Sequence, residues 1–246
     1  MSAVLFISDL HLCEERPETV RALLAFLRGP ARGAAALYIL GDLFEYWAGD
    51  DDDVPLHRVV AAALAELSEG GTPIYFIAGN RDFLLGERYA REARLQLLPD
   101  PSLLDIGNTP VLLSHGDMLC TDDEAYQAFR RQVRDPAWQR DFLRRPLDER
   151  RQLIEGLRRH SDAAKREKAM EIMDVNTGAV EMLLRQHGYP TLIHGHTHRP
   201  ACHLHVVDGH ARERWVLPDW HDEAKYLRWQ AGERPVALSY RPPSGG

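Results

Sequence analysis

Val4-Leu5-Phe6-Ile7-Ser8-Asp9-Leu10-His11 brings four apolar residues straight into Asp-x-His near the start of the chain. Phe6 and Ile7 favour a strand, and the run is apolar on both faces, as a strand buried in the middle of a sheet must be. In a strand, Asp9 and His11 stand two apart and point to the same side as the chain leaves the sheet. A rigid element can deliver two metal ligands in this way. Alone, Asp-x-His is a weak signal that marks an ordinary surface turn more often than a ligand pair.

Four further apolar runs end in polar clusters. Residues 36–40 lead into Gly41-Asp42, and residues 73–78 into Gly79-Asn80-Arg81-Asp82. Residues 110–114 lead into His115-Gly116-Asp117, and residues 191–193 into His194-Gly195-His196-Thr197-His198. Helical spacing marks residues 16–27, closed by Gly29-Pro30, and residues 54–67, closed by Gly70-Gly71. The acidic run 50–53 between them is expected to be a solvated loop. Strand, cluster and helix thus recur, with each cluster at the carboxyl end of its strand, where open α/β sheets place their sites. A layered α/β fold follows.

Residues 118–188 break this rhythm and are expected to form a helical insertion within a single domain, 1–246. Thr121-x-x-Glu124 is a capping box, with Ala125, Phe129 and Val133 on one apolar face. Asp135-Pro136 caps a second helix. Residues 147–168 form a long basic helix, open to interruption at Gly156 and Ser161-Asp162, and Asn176-Thr177 starts another that ends at Gly188. Residues 215–218, 226–229 and 236–238 are candidate strands of a second sheet, and the Pro-Pro-Ser-Gly-Gly tail is expected to fray.

The net charge of −7 over 246 residues argues against nucleic acid as a partner. The charge is uneven: residues 130–168 hold thirteen Lys/Arg against seven Asp/Glu. Solvated helical faces explain this, and so does a basic patch for an anionic ligand or lipid surface. Cys13, Cys120 and Cys202 are odd in number and lack framework spacing, which implies a reducing compartment without structural disulfides. No signal peptide or membrane span is evident, so any membrane contact is expected to be peripheral.

The clusters together offer Asp9, His11, Asp42, Asn80, His115, His196 and His198. Carboxylate, carboxamide and imidazole without thiolate fit Mn²⁺, Fe²⁺ or Zn²⁺ at a working site better than a structural zinc. Seven donors exceed one tetrahedral ion and suit two ions sharing a carboxylate. In order, the five clusters resemble the signature blocks of the calcineurin-like metallophosphoesterases. The resemblance implies a four-layer α/β/β/α sandwich with the helical insertion as a lid over a two-metal site. It also implies that Asp9, His11, Asp42 and His198 hold one ion, and Asp42, Asn80, His115 and His196 the other, with Asp42 bridging.

Residues 40–47, 114–123 and 172–176 resemble more closely the UDP-2,3-diacylglucosamine diphosphatase family of lipid A synthesis. This implies hydrolysis of the substrate's pyrophosphate to UMP and 2,3-diacylglucosamine 1-phosphate, with two Mn²⁺, through a metal-activated hydroxide attacking the uridine-side phosphorus. It further implies a monomer in the cytoplasm, peripheral on the anionic inner-membrane surface. Asp42, Asn80, Arg81 and His115 would carry the chemistry. Asn80, Arg81, Asp123, Ser161, Lys168 and His196 match substrate contacts, and Lys165 stands where that family often has Asn. His194 lies outside the pattern and reads as structural.

Arg81 occupies a position where many superfamily members carry His. A guanidinium cannot donate a proton near neutral pH, so an alkoxide leaving group would go unassisted, whereas a sugar phosphate leaves as a stable anion. Arg81 can instead neutralise pyrophosphate charge. Asp82 and Asp117 are candidates for orienting ligands. Phe129, Trp138, Phe142 and Leu143 would shelter acyl chains or form a core of the insertion's own. Rival readings are the same chemistry on a phosphodiester or phosphoprotein, a non-catalytic scaffold, and a peripheral lipid-binding protein.

Overall fold

The computed structural model describes residues 2–167 and 174–241. In chain order its elements are β1 (Val4–Ile7), α1 (Pro17–Arg28), β2 (Ala36–Leu40), α2 (Pro55–Glu69), β3 (Ile74–Ile77), α3 (Glu87–Glu92), β4 (Leu95–Leu98), β5 (Ser102–Asp105) and β6 (Pro110–Ser114). Then follow α4 (Glu124–Val133), α5 (Pro136–Leu143), α6 (Leu147–Glu167), α7 (Thr177–Gln186), β7 (Thr191–His194), β8 (Ala201–Val207), β9 (His210–Val216), β10 (Ala224–Trp229) and β11 (Val236–Tyr240).

One sheet of six strands runs β11-β10-β1-β2-β3-β4, and a second of five runs β5-β6-β7-β9-β8. Parallel pairs join β1, β2, β3 and β4, and likewise β6, β7 and β9. Alternation along the apolar runs explains why they are apolar throughout. Leu5, Ile7, Leu37, Ile39 and Phe76 face α1 and α2, whose Leu23, Phe26, Val60 and Leu64 complete one core. Phe6, Leu40 and Ile77 face the other way, onto Val111, Leu113 and Ile193 of the second sheet. Leu112 and Leu192, on that sheet's far side, meet Val180, Leu183 and Leu184 of α7. Three apolar interfaces make four layers, α/β/β/α.

Several expectations are corrected. Strand β10 pairs antiparallel with β1, and β11 with β10, so residues 226–229 and 236–238 extend the first sheet rather than the second. The cap of α4 is Asp123, whose carboxylate accepts from Tyr126 N at 3.1 Å, in place of Thr121. Gly156 does not interrupt α6. Asp135 and Asn176 cap α5 and α7 as the sequence suggests. The Pro-Pro-Ser-Gly-Gly tail lies outside the described residues.

The acidic run is not a simple solvated loop. Asp50 accepts from the backbone N–H groups of Gly86, Arg88 and Tyr89 and thereby holds the start of α3. Arg150 of α6, 2% exposed, donates to Ala48 O at 2.6 Å and to the Asp51 carboxylate. Arg151 reaches the buried Asp52 at 2.6 Å. Arg130, Arg144 and Arg145 also pair with acids, so much of the positive charge between residues 130 and 151 is matched within the fold. Val133, Phe142 and Ile154 join the first sheet's helical-side core, with Phe129 and Trp138 packed against it, while Leu143 is exposed. Helices α4–α6 are thus fastened to the loops after β2 and β3, with Arg134 donating to Ala78 O and Gly79 O at 3.0 and 2.9 Å.

His57 tests the packing beneath these loops. Its ring lies 4.2 Å from Trp47 and 4.5 Å from Phe44, centroid to centroid, and burial pushes its pKa down to about 4. The folded state therefore prefers neutral imidazole. Stability is full above the unfolded pKa of about 6.5 and is lost as pH falls toward 4, by up to about 3 kcal/mol. Urea unfolding at stepped pH should show a flatter loss over this window for His57→Leu. Parallel curves for the two proteins would contradict a buried neutral His57.

Candidate active site

Strands β1, β2, β3, β6 and β7 end on one side of the two sheets, and each cluster begins within two residues of its strand. The chain must turn sharply there. Asp9, His11, Asp42, His196 and His198 all have positive φ, between 48° and 69°, five of the nine non-glycine residues with that conformation among those described. Left-handed backbone is costly for such side chains and persists where the surroundings over-determine it, typically at functional sites. Gly41, at φ +88°, sits so close that a Cβ there would lie 2.6 Å from Gly79 Cα and from His115 Nδ1. The loops after β2, β3 and β6 converge only because that volume is empty.

The turns bring the donors together. Single ligand atoms of Asp9, His11 and His198 lie within 4.8 Å of one another, and so do those of Asp9, Asp42 and His115. His198 Nε2 is 3.3 Å from Asp9 Oδ1 and 3.2 Å from His11 Nε2. The two Asp42 oxygens face opposite ways: Oδ2 is 3.7 Å from His11 Nε2, and Oδ1 is 3.7 Å from His115 Nε2. Asn80 Oδ1 stands 2.9 Å from His115 Nε2 and 2.8 Å from His196 Nδ1. All seven donors therefore meet in one place. Asp9 is fully buried and accepts from His196 N, yet its carboxyl is held well below the usual range. Burial opposes the charge, but a hydrogen bond from His198 and the nearby His115 and His11 outweigh it.

Residues 2–200 match the model of the calcineurin-like phosphoesterases. The chain belongs to the calcineurin-like phosphoesterase family. Within it, the chain is 70% identical over 240 residues to the UDP-2,3-diacylglucosamine hydrolase of Aromatoleum aromaticum, covering 98% of each. It is 52% identical over 235 residues to the protein of that name in Stenotrophomonas maltophilia, covering 93% of this chain and 95% of the relative. The Shigella dysenteriae protein of that name is 50% identical over 231 residues, covering 94% and 96%.

Metal ions fit this phosphoesterase's donor set. His115 Nδ1 lies 2.8 Å from Leu40 O, so it carries the hydrogen and the neutral ring turns a lone pair at Nε2 toward Asn80 Oδ1, another lone-pair atom. Two acceptors facing at hydrogen-bond distance require a cation between or beside them, or a proton on the imidazole. Burial opposes a proton on His115, but Asp42, Asp117 and Asp9 push its pKa up to about 9, so the pocket of carboxylates favours positive charge at this ring. A divalent ion supplies the same positive charge without the proton.

Around the donors lies a ring of supports. Asp82, fully buried, accepts from the N–H groups of Gly79 at 2.8 Å, Leu43 at 2.7 Å and Asp42 at 3.3 Å. Burial and then Asp42 raise its pKa to about 6. Asp117 accepts from Tyr126 Oη at 2.7 Å and Arg130 Nε at 2.9 Å, so α4 grips the turn after β6. His194 is buried beneath the site, its Nε2 3.0 Å from Arg214, which agrees with a structural residue. Glu45 and Asp219 escaped the sequence reading; their carboxylates lie 3.1 Å from His11 Nδ1 and 3.5 Å from His198 Nδ1. Glu45 sits three residues past Asp42, the one signal available. Asp219 lies far from every cluster in sequence.

The remaining expected residues are placed unevenly. Arg81 is buried against Glu45, Nη1 to Oε1 at 3.8 Å, and its backbone N–H donates to Asp42 Oδ1 at 2.8 Å. Asp123 serves the α4 cap. Lys168 lies outside the described residues, as do the side chains of Ser161 and Lys165 on α6.

Asp82→Ala should destabilise the fold by about 2–4 kcal/mol, because it strands several buried N–H groups together. It should also weaken Mn²⁺ binding measured by calorimetry, since those N–H groups fix the Asp42 loop. A variant with unchanged melting and metal affinity would remove Asp82 from this role.

Proposed function

We propose that this phosphoesterase hydrolyses the pyrophosphate bond of UDP-2,3-diacylglucosamine to UMP and 2,3-diacylglucosamine 1-phosphate, a step of lipid A synthesis. The observation that carries the reading is 70% identity, over 98% of both chains, to a relative named for this substrate. That span includes the insertion as well as the five clusters.

Asp9, His11, Asp42 and His198 hold one ion, and Asp42, Asn80, His115 and His196 the other. The opposed oxygens of Asp42, each facing a different histidine, support its place as the bridge. Mn²⁺ suits this mixture of oxygen and imidazole donors. When bound, two such ions activate water and neutralise phosphate oxygens. The chain's own residues do the rest. Asn80 presents Oδ1 beside His115 Nε2 and His196 Nδ1, so the β3 loop places its donor among theirs. Arg81 neutralises pyrophosphate charge without acting as an acid, and the leaving sugar phosphate needs no proton. Attack at the uridine-side phosphorus releases UMP. Asp123, Ser161, Lys165, Lys168 and His196 complete the substrate contacts.

Residues 1–246 are read as one domain, with 118–188 an inserted lid. The anchoring of Arg134 on the carbonyls beside Asn80 supports a lid built into the site. Among the described residues no helix is long and apolar enough to cross a membrane. A monomer bound peripherally to the cytoplasmic face of the inner membrane would meet a lipid substrate there.

Hydrolysis in water enriched in oxygen-18 should place label only in UMP, only with Mn²⁺, and not with chelator. Label in the sugar phosphate would move the attack to the other phosphorus. Metal-dependent cleavage of a simple phosphodiester with no turnover of the lipid nucleotide would withdraw the substrate. Asn80→Ala should lower turnover at least about 100-fold with melting preserved, because a ligand is lost rather than a packing contact. Full activity in that variant would count against Asn80 as a ligand.

A further inference from the structure

The His11 imidazole and the Arg81 guanidinium come from different loops, yet one carboxylate reaches both. Glu45 Oε2 lies 3.1 Å from His11 Nδ1, and Oε1 lies 3.8 Å from Arg81 Nη1. The three side chains are 13%, 8% and 9% exposed, so their charges meet in a poorly hydrated place. Arg16 steadies the carboxylate from outside at 3.4 Å and also donates to the His11 backbone carbonyl. Arg16 Nε reaches Cys13 Sγ at 3.5 Å, which fixes the guanidinium over the turn.

The other imidazoles are backed differently. His115 Nδ1 meets a backbone carbonyl, that of Leu40. His198 Nδ1 meets Asp219 Oδ2, and the same oxygen lies 3.3 Å from His221 Nε2. Neither support touches an arginine that faces the site. Among the described residues, Glu45 is the carboxylate that stands behind a metal-ligand histidine and also contacts the residue assigned to the substrate's phosphates.

We propose that Glu45 is a positioning residue that couples metal binding at His11 to phosphate binding at Arg81. This rests on the two-ion reading above. The negative charge of Glu45 beside Nδ1 makes the His11 ring a stronger donor toward a cation at Nε2. The same carboxylate faces the Arg81 guanidinium across 3.8 Å and draws it toward the His11 side of the site. Its charge also keeps Arg81 from drifting onto Asp42, whose Oδ1 already accepts the Arg81 backbone N–H. An ion held by His11 and a phosphate held by Arg81 would thus both depend on the charge of Glu45.

Calorimetric titration with Mn²⁺, and steady-state kinetics at rising Mn²⁺, test this on the full chain. Glu45→Gln should bind one of the two ions 10–100-fold more weakly while the other holds near the unmodified value. At saturating Mn²⁺ its kcat should recover to within about threefold, with KM still raised about tenfold, because the ion does not replace the Glu45 charge that faces Arg81. Asp219→Asn should weaken an ion without changing KM at saturating Mn²⁺. If Glu45→Gln does not fold, Glu45→Asp, which keeps the charge for Arg16 but withdraws it by one methylene, takes the same two measurements with the same expectation. Unchanged Mn²⁺ affinity, or a KM that returns to normal with saturating metal, would overturn the coupling while leaving the two-ion site standing. An unmodified chain that binds no Mn²⁺ would overturn the two-ion reading and the coupling with it.

Discussion

Two buried carboxylates, Asp9 and Asp42, share one cluster, and nearly everything about this molecule follows from making that tolerable. Like charges at such burial are strongly unfavourable unless cations or N–H groups meet them. The fold supplies backbone N–H groups from His196 and Arg81 and imidazoles from His11, His115 and His198. It also accepts left-handed backbone at five of the donors. A chain does not hold that much local cost without a rigid frame, and two sheets packed face to face provide it. The two Asp42 oxygens, each turned to a different histidine, leave room for positive charge on either side.

Much of this could be read from the residues alone. The apolar runs before Asp9, Asp42, Asn80, His115 and His196 are unbroken, because their strands are covered on both faces, and a Gly or a short polar step marks where each stops. The strands outside that core were harder. Strands β8 and β9 carry Cys202, His203, His205, Arg212 and Arg214, and one face of the hairpin is wet, so no apolar run announces them. The signal was there in Asp208-Gly209, both with positive φ, the pairing that a tight hairpin turn favours. The short strand β5 is exposed at alternate positions and likewise too polar to stand out.

The assignment of β10 and β11 failed for a different reason. Periodicity says that a segment is a strand, but the choice of neighbour depends on edges left open elsewhere. Strand β1 had such an edge, and Trp229, Arg228 and Leu227 took it opposite Val4, Leu5 and Phe6. Glu45 and Asp219 were illegible on similar grounds. Their chemistry is ordinary in sequence and becomes particular only when the fold sets them behind His11 and His198. The acidic run shows the reverse error: four consecutive aspartates read as solvent-loving, although Asp50 and Asp52 satisfy partners that lie far away in the chain.

The pairing of β1 with β10 also fixes when the site can exist. Asp9 follows the first strand, while His196, bonded to it, comes 187 residues later, and the Trp220 N–H that meets the Asp9 carbonyl later still. On the ribosome, the N-terminal strands emerge with their carboxylates long before the histidines and the closing strand are available. A nascent chain therefore has no complete cradle for ions until the residue 196–198 turn has emerged, and no finished first sheet until β10 and β11 follow it.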